Sequence, residues 1–264
     1  MPTKSILLYM LIVTLSFSSI NLKAQSKQNQ ITVDGFEDDW KTNVFNVDSA
    51  NGFEYSISKT DDRLFLIIKF VNKLSQIKSL TTGMQIGLDM YNKNKPQQFI
   101  NFPLDNSSKV NPAELFADLN MMQYSLLLMN TEYELRKFVD GNGTYKYDAE
   151  NTNGIILAFA TNKDDQLVYE YSIPFESLRN KKDPPGLTST AIDIEINIPA
   201  LRINTSPPST GNQTGSFNSR MGVTSSAKQN KAPTRSPSGN PMDGLKEQYK
   251  EMFENTKKKI RITL

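Results

Sequence analysis

The sequence predicts a mostly β protein: an antiparallel β-sandwich of the jelly-roll or immunoglobulin-like kind, with one or two short helices. Three observations carry that expectation. Apolar and polar residues alternate over several short runs, most strictly at 191–198 (Ala-Ile-Asp-Ile-Glu-Ile-Asn-Ile), where four isoleucines share one face. Polar turn sequences separate these runs at spacings that suit hairpins. Aromatic residues make up 9% of the 264, with 14 Phe and 10 Tyr, and such side chains pack well on a pleated surface.

The first segment, 1–24, has the form of a secretory signal: Lys4, an apolar core over 6–17, and a polar stretch ending at Ala24, after which cleavage is expected. The core is shorter than the roughly 20 apolar residues that a membrane span requires. The product is therefore expected to be periplasmic or secreted. The mature chain then opens on 31–40, Ile-Thr-Val-Asp-Gly-Phe-Glu-Asp-Asp-Trp, expected as a first strand and first turn. Ile31 and Val33 would share a face, Asp34-Gly35 would supply a turn that reaches positive φ, and Trp40, the only tryptophan, would plug the core.

Residues 53–71 form a hairpin: Phe53, Tyr55 and Ile57 on one face, a turn at 59–62, and a run at 64–71 apolar enough for a central strand. A second hairpin joins 84–91 to 98–102 through the polar, proline-containing 92–96. Asn111-Pro112-Ala113-Glu114 marks a helix start, with Leu115, Phe116 and Leu119 as its apolar face; 121–129 is then expected to be strand-like. Residues 130–153 are expected as a loose connection around the turn Asp140-Gly141-Asn142-Gly143. A third hairpin joins 154–161 to 166–173 around 162–165 and ends at Pro174, with a helical turn from Glu176.

One sandwich domain is thus expected over 25–204. The run 205–241 is rich in Ser, Thr, Pro, Gly and Asn, and its few apolar side chains cannot offset the entropy of ordering, so disorder is expected there. Over 242–264 the spacing of Leu245, Tyr249, Met252, Phe253 and Ile260 predicts an amphipathic helix, with Glu254 and Lys258 as an i,i+4 pair and Lys257 to Lys259 at its C-terminal end. The last five residues alternate as a strand that returns to the sandwich.

Composition restricts the chemistry. There is no Cys and no His, which removes disulfides, thiolate catalysis, Cys zinc sites, the usual general base and the histidine of a catalytic triad. No local motif singles out two carboxylates as a glycosidase pair, so a non-catalytic role is expected, with no cofactor except calcium as an option. Residues 25–204 hold 18 basic against 24 acidic residues, and 205–264 hold 10 against 4. The basic residues of the tail are read as helix-end charges, and no nucleic-acid partner is expected.

Three stretches resemble a known family: Val-Asp-Gly at 33–35 followed by Asp-Asp-Trp at 38–40, the hairpin around Gly87-Leu88-Asp89, and Val168-Tyr169-Glu170-Tyr171-Ser172-Ile173-Pro174. They are similar to the carbohydrate-binding module family 9 superfamily of antiparallel β-sandwiches, and to small secreted bacterial proteins that carry one such domain. The resemblance implies the fold and, as a ligand, a glycan; an accessory scaffold that binds another cell-envelope protein is the alternative. Sugar-binding members clamp their ligand between tryptophans. Here Tyr91, Tyr145 and Tyr147 are the candidate stacking residues, because Trp40 reads as core. The calcium candidates are Asp38, Asp39, Asp61 and Asp62, with Asp164-Asp165 a further acidic pair; as turn residues all would equally accept backbone N–H bonds.

Overall fold

The structure is a computed structural model and describes residues 31–91, 93–147, 150–179, 191–202 and 241–264. Two antiparallel sheets face each other. The first has the order β1 (Asn46–Asp48), β2 (Phe53–Lys59), β3 (Arg63–Phe70), β9 (Leu167–Pro174), β8 (Ile156–Thr161). The second has the order β11 (Thr256–Thr263), β10 (Ala191–Ile198), β4 (Gln85–Asp89), β5 (Gln98–Asn101), β6 (Glu132–Arg136), β7 (Gly143–Lys146). The protein is a β-sandwich. Its core is built from alternate residues of both sheets, such as Leu64, Leu66 and Ile68 of β3 against Ile86, Leu88 and Ile194, all buried. The four isoleucines of β10 point inward, as their alternation predicts.

Among the described residues four α-helices accompany the sheets: α1 (Lys73–Thr82), α2 (Pro112–Leu115), α3 (Leu119–Met129) and α4 (Pro241–Gln248). Two of them correct the sequence reading. Residues 121–129 are helical, not a strand: Asp118 caps α3 by accepting from the amides of Asn120 and Met121 at 3.0 Å, and the helix packs on α1. The second, α1, carries only Leu74, Ile77 and Leu80 as apolar residues, so its pattern is faint. It nevertheless buries Gln76, Lys78, Ser79, Thr81 and Thr82, because each polar side chain finds a partner. The hydroxyls of Thr81 and Thr82 donate to the carbonyls four residues back at 2.7 and 2.9 Å, and Gln76 donates to the carbonyls of Phe70 and Asp165.

The stretch 130–153 is also more regular than expected, since it contains β6 and β7, joined across the 140–143 turn. The reason is pairing: Tyr133 of β6 stacks on Tyr145 of β7, with ring centroids 5.4 Å apart.

Residues 31–33 are not a strand. They belong to a strap, 31–45, laid across the outer face of the five-stranded sheet. There Trp40 packs with Phe65, Ile67 and Val168 in a second, smaller cluster that Ile31, Val33 and Phe45 border. Gly35 has φ +88, and a Cβ there would lie 2.8 Å from the backbone of Phe159, so both conformation and space demand glycine. The strap is fastened by Glu170 of β9. Its carboxylate accepts from Trp40 Nε1 at 2.6 Å, from the Gly35 amide at 2.7 Å and from the Asp34 amide at 2.9 Å. Burial outweighs these donors and raises the Glu170 carboxyl above its ordinary range. Lys69 adds ion pairs to Glu37 of the strap and Glu54 of β2, at 3.0 and 3.1 Å.

The signal-like segment 1–24 and residues 205–240 of the low-complexity run lie outside the described residues; Pro241, placed at the end of that run by the sequence reading, opens α4. The triple lysine does not end a helix. It lies in β11, which pairs with β10 along its whole length, so Glu254 and Lys258 are not a helical pair either. Lys258 reaches Asp48 of β1 at 3.0 Å and so joins the edges of the two sheets. Burial opposes ionisation of Asp48, but hydrogen bonds from Asn51 and Lys258 prevail and hold its carboxyl below the ordinary range. From α1, the buried Lys78 donates to the carbonyl of Glu254 and, at 2.8 Å, to the hydroxyl of Thr256. Burial pulls its ammonium pKa down from 10.5 to about 8.

Two outcomes follow. Trp40→Ala is expected to lower unfolding free energy by about 3–5 kcal/mol, and Trp40→Phe, which keeps a ring but loses the N–H to Glu170, by about 1–3 kcal/mol, measured by urea unfolding. Between about pH 8 and 10.5 the unfolded chain holds a proton on Lys78 that the folded chain has lost, so stability should rise with pH in that window. The contribution, at most about 1.4 kcal/mol per pH unit, should vanish in Lys78→Met, read from melts of both proteins across the window.

Candidate functional site

The two outer faces of the sandwich differ. The strap covers that of the five-stranded sheet; that of the six-stranded sheet has no such cover among the described residues and presents rows of polar side chains across its strands. Register places Arg261 of β11 beside Asp193 of β10 and Asp89 of β4. The next row runs Lys259, Glu195, Gly87, Phe99 and Arg136, and a third holds Asn197, Gln85, Asn101 and Glu134.

These side chains hold one another in place. Gln85 donates to Asn101 at 2.8 Å, Asn101 donates to Glu134, and Arg136 lies 3.4 Å from the same carboxylate. Phe99, half-buried, has the cations of Arg136 and Lys137 at 5.5 and 5.0 Å from its ring centroid. Arg261 donates twice to Asp193, at 2.6 and 2.7 Å, and that contact raises the guanidinium pKa. Lys257 lies 2.8 Å from Glu195.

Where this face meets the turn after β4, a cavity of about 270 Å³ opens, bounded by Asp89, Asp193, Glu195 and Lys259 below and by Lys95 and Pro96 above. Gly87 is the reason the turn can lie so close. A Cβ at that position would sit 2.7 Å from the Pro96 ring, so only glycine admits the proline onto the sheet. Asn94 completes the bend at φ +60.

The tyrosines singled out in the sequence are not brought together. Tyr145 lies against Tyr133 in the core-facing layer, its hydroxyl donating to the Gly141 carbonyl at 2.7 Å. Tyr147 follows it and packs edge-on against Phe159, with centroids 5.8 Å apart. Tyr91 stands beyond the end of β4, three strands away from β7. Its hydroxyl is 3.4 Å from the Leu178 carbonyl, and Lys93 sits 5.2 Å from its ring centroid. Of the three, Tyr91 borders the cavity's wall, through its amide bond to Asp89.

The acidic candidates are likewise dispersed. Asp38 pairs with Lys41 at 2.9 Å, Asp39 accepts the Thr32 amide at 2.9 Å, and Asp62 accepts the Thr60 hydroxyl at 2.7 Å in the β2–β3 turn that also holds Asp61. Asp164 and Asp165 lie in the β8–β9 turn, where Asp165 pairs with Lys73. Among the described residues no three acidic side chains gather where one ion could reach them all. Asp34, Gly35 and Trp40 serve the strap described above.

No family model and no curated protein matches this sequence. Among solved structures, a carbohydrate-binding module family 9 domain from Caldicellulosiruptor kristjanssonii in complex with cellotriose is similar over 64% of this chain and 72% of its own, at 12% identity and a TM-score of 0.32.

Sequence reading missed Phe99, Arg136, Asp193 and Arg261 because each is an ordinary outward residue of an alternating strand. Only Gly87 carried a local signal, as a glycine inside a strand pattern. Gly87→Val is expected to force Pro96 away and free residues 93–97, raising their amide exchange while lowering stability by about 1–3 kcal/mol, as measured by hydrogen exchange and thermal melting.

Proposed function

We propose that this chain is an exported, non-catalytic module that binds a glycan on the outer face of its six-stranded sheet. The observation that carries the reading is the contrast between the two faces: one is crossed by the strap, which leaves a cleft only beside residues 31–33, and the other is paved with mutually held amides, carboxylates and cations around Phe99. Sugar hydroxyls donate and accept at once, so a surface that offers ordered acceptors (Asn101, Glu134) beside ordered donors (Arg136, Lys259) suits them. The half-buried ring gives the C–H face of a sugar something to rest on. Export is supported by Lys4 and the apolar core that follows. No described helix is long and apolar enough to cross a membrane. A non-catalytic role is supported by the absence of His and Cys.

The second reading, an accessory scaffold for another envelope protein, draws on a different observation. The outward side of α3 leaves Met121, Tyr124 and Leu128 about two-thirds exposed at helical spacing.

A glycan array decides between them. Binding should appear and fall at least about tenfold in Phe99→Ala and Arg136→Ala, while both variants melt near the parent temperature. Silence on every glycan, together with loss of an envelope-protein partner in Tyr124→Asp, shifts the assignment to the scaffold.

A further inference from the structure

We infer that the cavity beneath residues 93–97 is a specificity pocket for a neutral, hydroxyl-bearing ligand, with Asp89 as the acceptor that selects it. The inference rests on the glycan reading and narrows it. Asp89 is 2% exposed. Its Oδ1 accepts the Tyr91 amide at 2.9 Å, whereas its Oδ2, equally buried, has no hydrogen-bond partner among the described residues. A buried carboxylate oxygen without a donor is strongly unfavourable, and such an atom in a native protein marks a place where something else binds.

The cations beside it on the sheet face other partners. Arg261 donates twice to Asp193, at 2.6 and 2.7 Å, and Lys259 lies 3.8 Å from Glu195. The cavity that Asp89 lines is the place from which a ligand's donor reaches it.

Charge selects the kind of donor. Three carboxylates (Asp89, Asp193, Glu195) face three cations (Lys95, Lys259, Arg261), so the walls are balanced. A uronate would meet Asp89 and Asp193, and an ammonium would meet Lys259 and Arg261. A hydroxyl meets neither penalty: it donates to Asp89 and accepts from the cations in the same site. At about 270 Å³ the space lies at the small end of ligand pockets, which suits one small polyol or one unit of a longer molecule.

The test is a titration of the full isotope-labelled chain with glucose, galactose and mannose, their monodeoxy analogues, and the matching uronates and amino sugars, followed by amide shifts and calorimetry. A neutral hexose is expected to shift Asp89, Lys95 and Glu195 and to bind at least about tenfold more tightly than its uronate and amino counterparts and than one deoxy analogue. Asp89→Asn should lose at least about tenfold in affinity with an unchanged melt. Should that variant fold poorly, the deoxy series on the unaltered chain carries the same information.

Tighter binding of a uronate or an amine overturns the inference, as does full affinity in Asp89→Asn. Sugar-induced shifts confined to Phe99, Asn101 and Arg136 overturn the pocket and leave the glycan reading standing. No shift with any sugar removes both.

Discussion

A carboxylate in the middle of a sheet that is covered on both faces needs donors, and Glu170 obtains three from one short segment. Much of the rest follows. Strand β9 is buried on both sides because the strap lies over it, and the strap stays because a tryptophan ring and two backbone amides converge on one side chain. Removing the acid would leave the indole N–H and two amides unpaired under apolar cover, the costliest way to lose a hydrogen bond. The strap thus covers the middle of the five-stranded sheet around Trp40, whereas the outer face of the six-stranded sheet has no such cover among the described residues.

The second dependency is the closing edge. Strand β11 comes from the far end of the chain and pairs with β10; Lys258 with Asp48, and Lys78 with Glu254 and Thr256, bind that edge to the rest. Two of the residues that border the candidate cavity, Lys259 and Arg261, arrive on this strand. A tail without it would leave Asp193 and Glu195 as neighbouring outward acids with fewer cations. The triple lysine thus divides its labour by strand alternation: Lys258 turns toward the sheet-to-sheet edge, and Lys257 and Lys259 turn toward the outer face.

Much of the fold was legible in the residues. The hairpins 53–71, 84–102 and 154–173, and the isoleucine strand 191–198, announce themselves by period-two alternation and polar turns, and the structure has them where the pattern places them. Elements that lack a clean pattern were not legible. Helix α1 reads as polar because most of its buried side chains are polar: the hydroxyls of Ser79, Thr81 and Thr82 are satisfied within the helix, and Gln76 in part by the Asp165 carbonyl, far away in sequence. Helix α3 reads as a strand because it is apolar on nearly every side, and β6 and β7 are short strands stabilised by a Tyr133–Tyr145 stack that no local window contains.

By itself, then, the sequence determined the sandwich class, the hairpins, the inward isoleucines and the absence of His and Cys chemistry, because these depend on side-chain alternation, turn residues and composition, all local properties. The tertiary structure alone decided that residues 31–45 strap one sheet, that the lysines of the tail lie on a strand, and that Asp89, Asp193 and Arg261 adjoin one another. Those are pairings between residues tens to more than a hundred positions apart. Register and burial bring them together, and neither can be read from a window of neighbours.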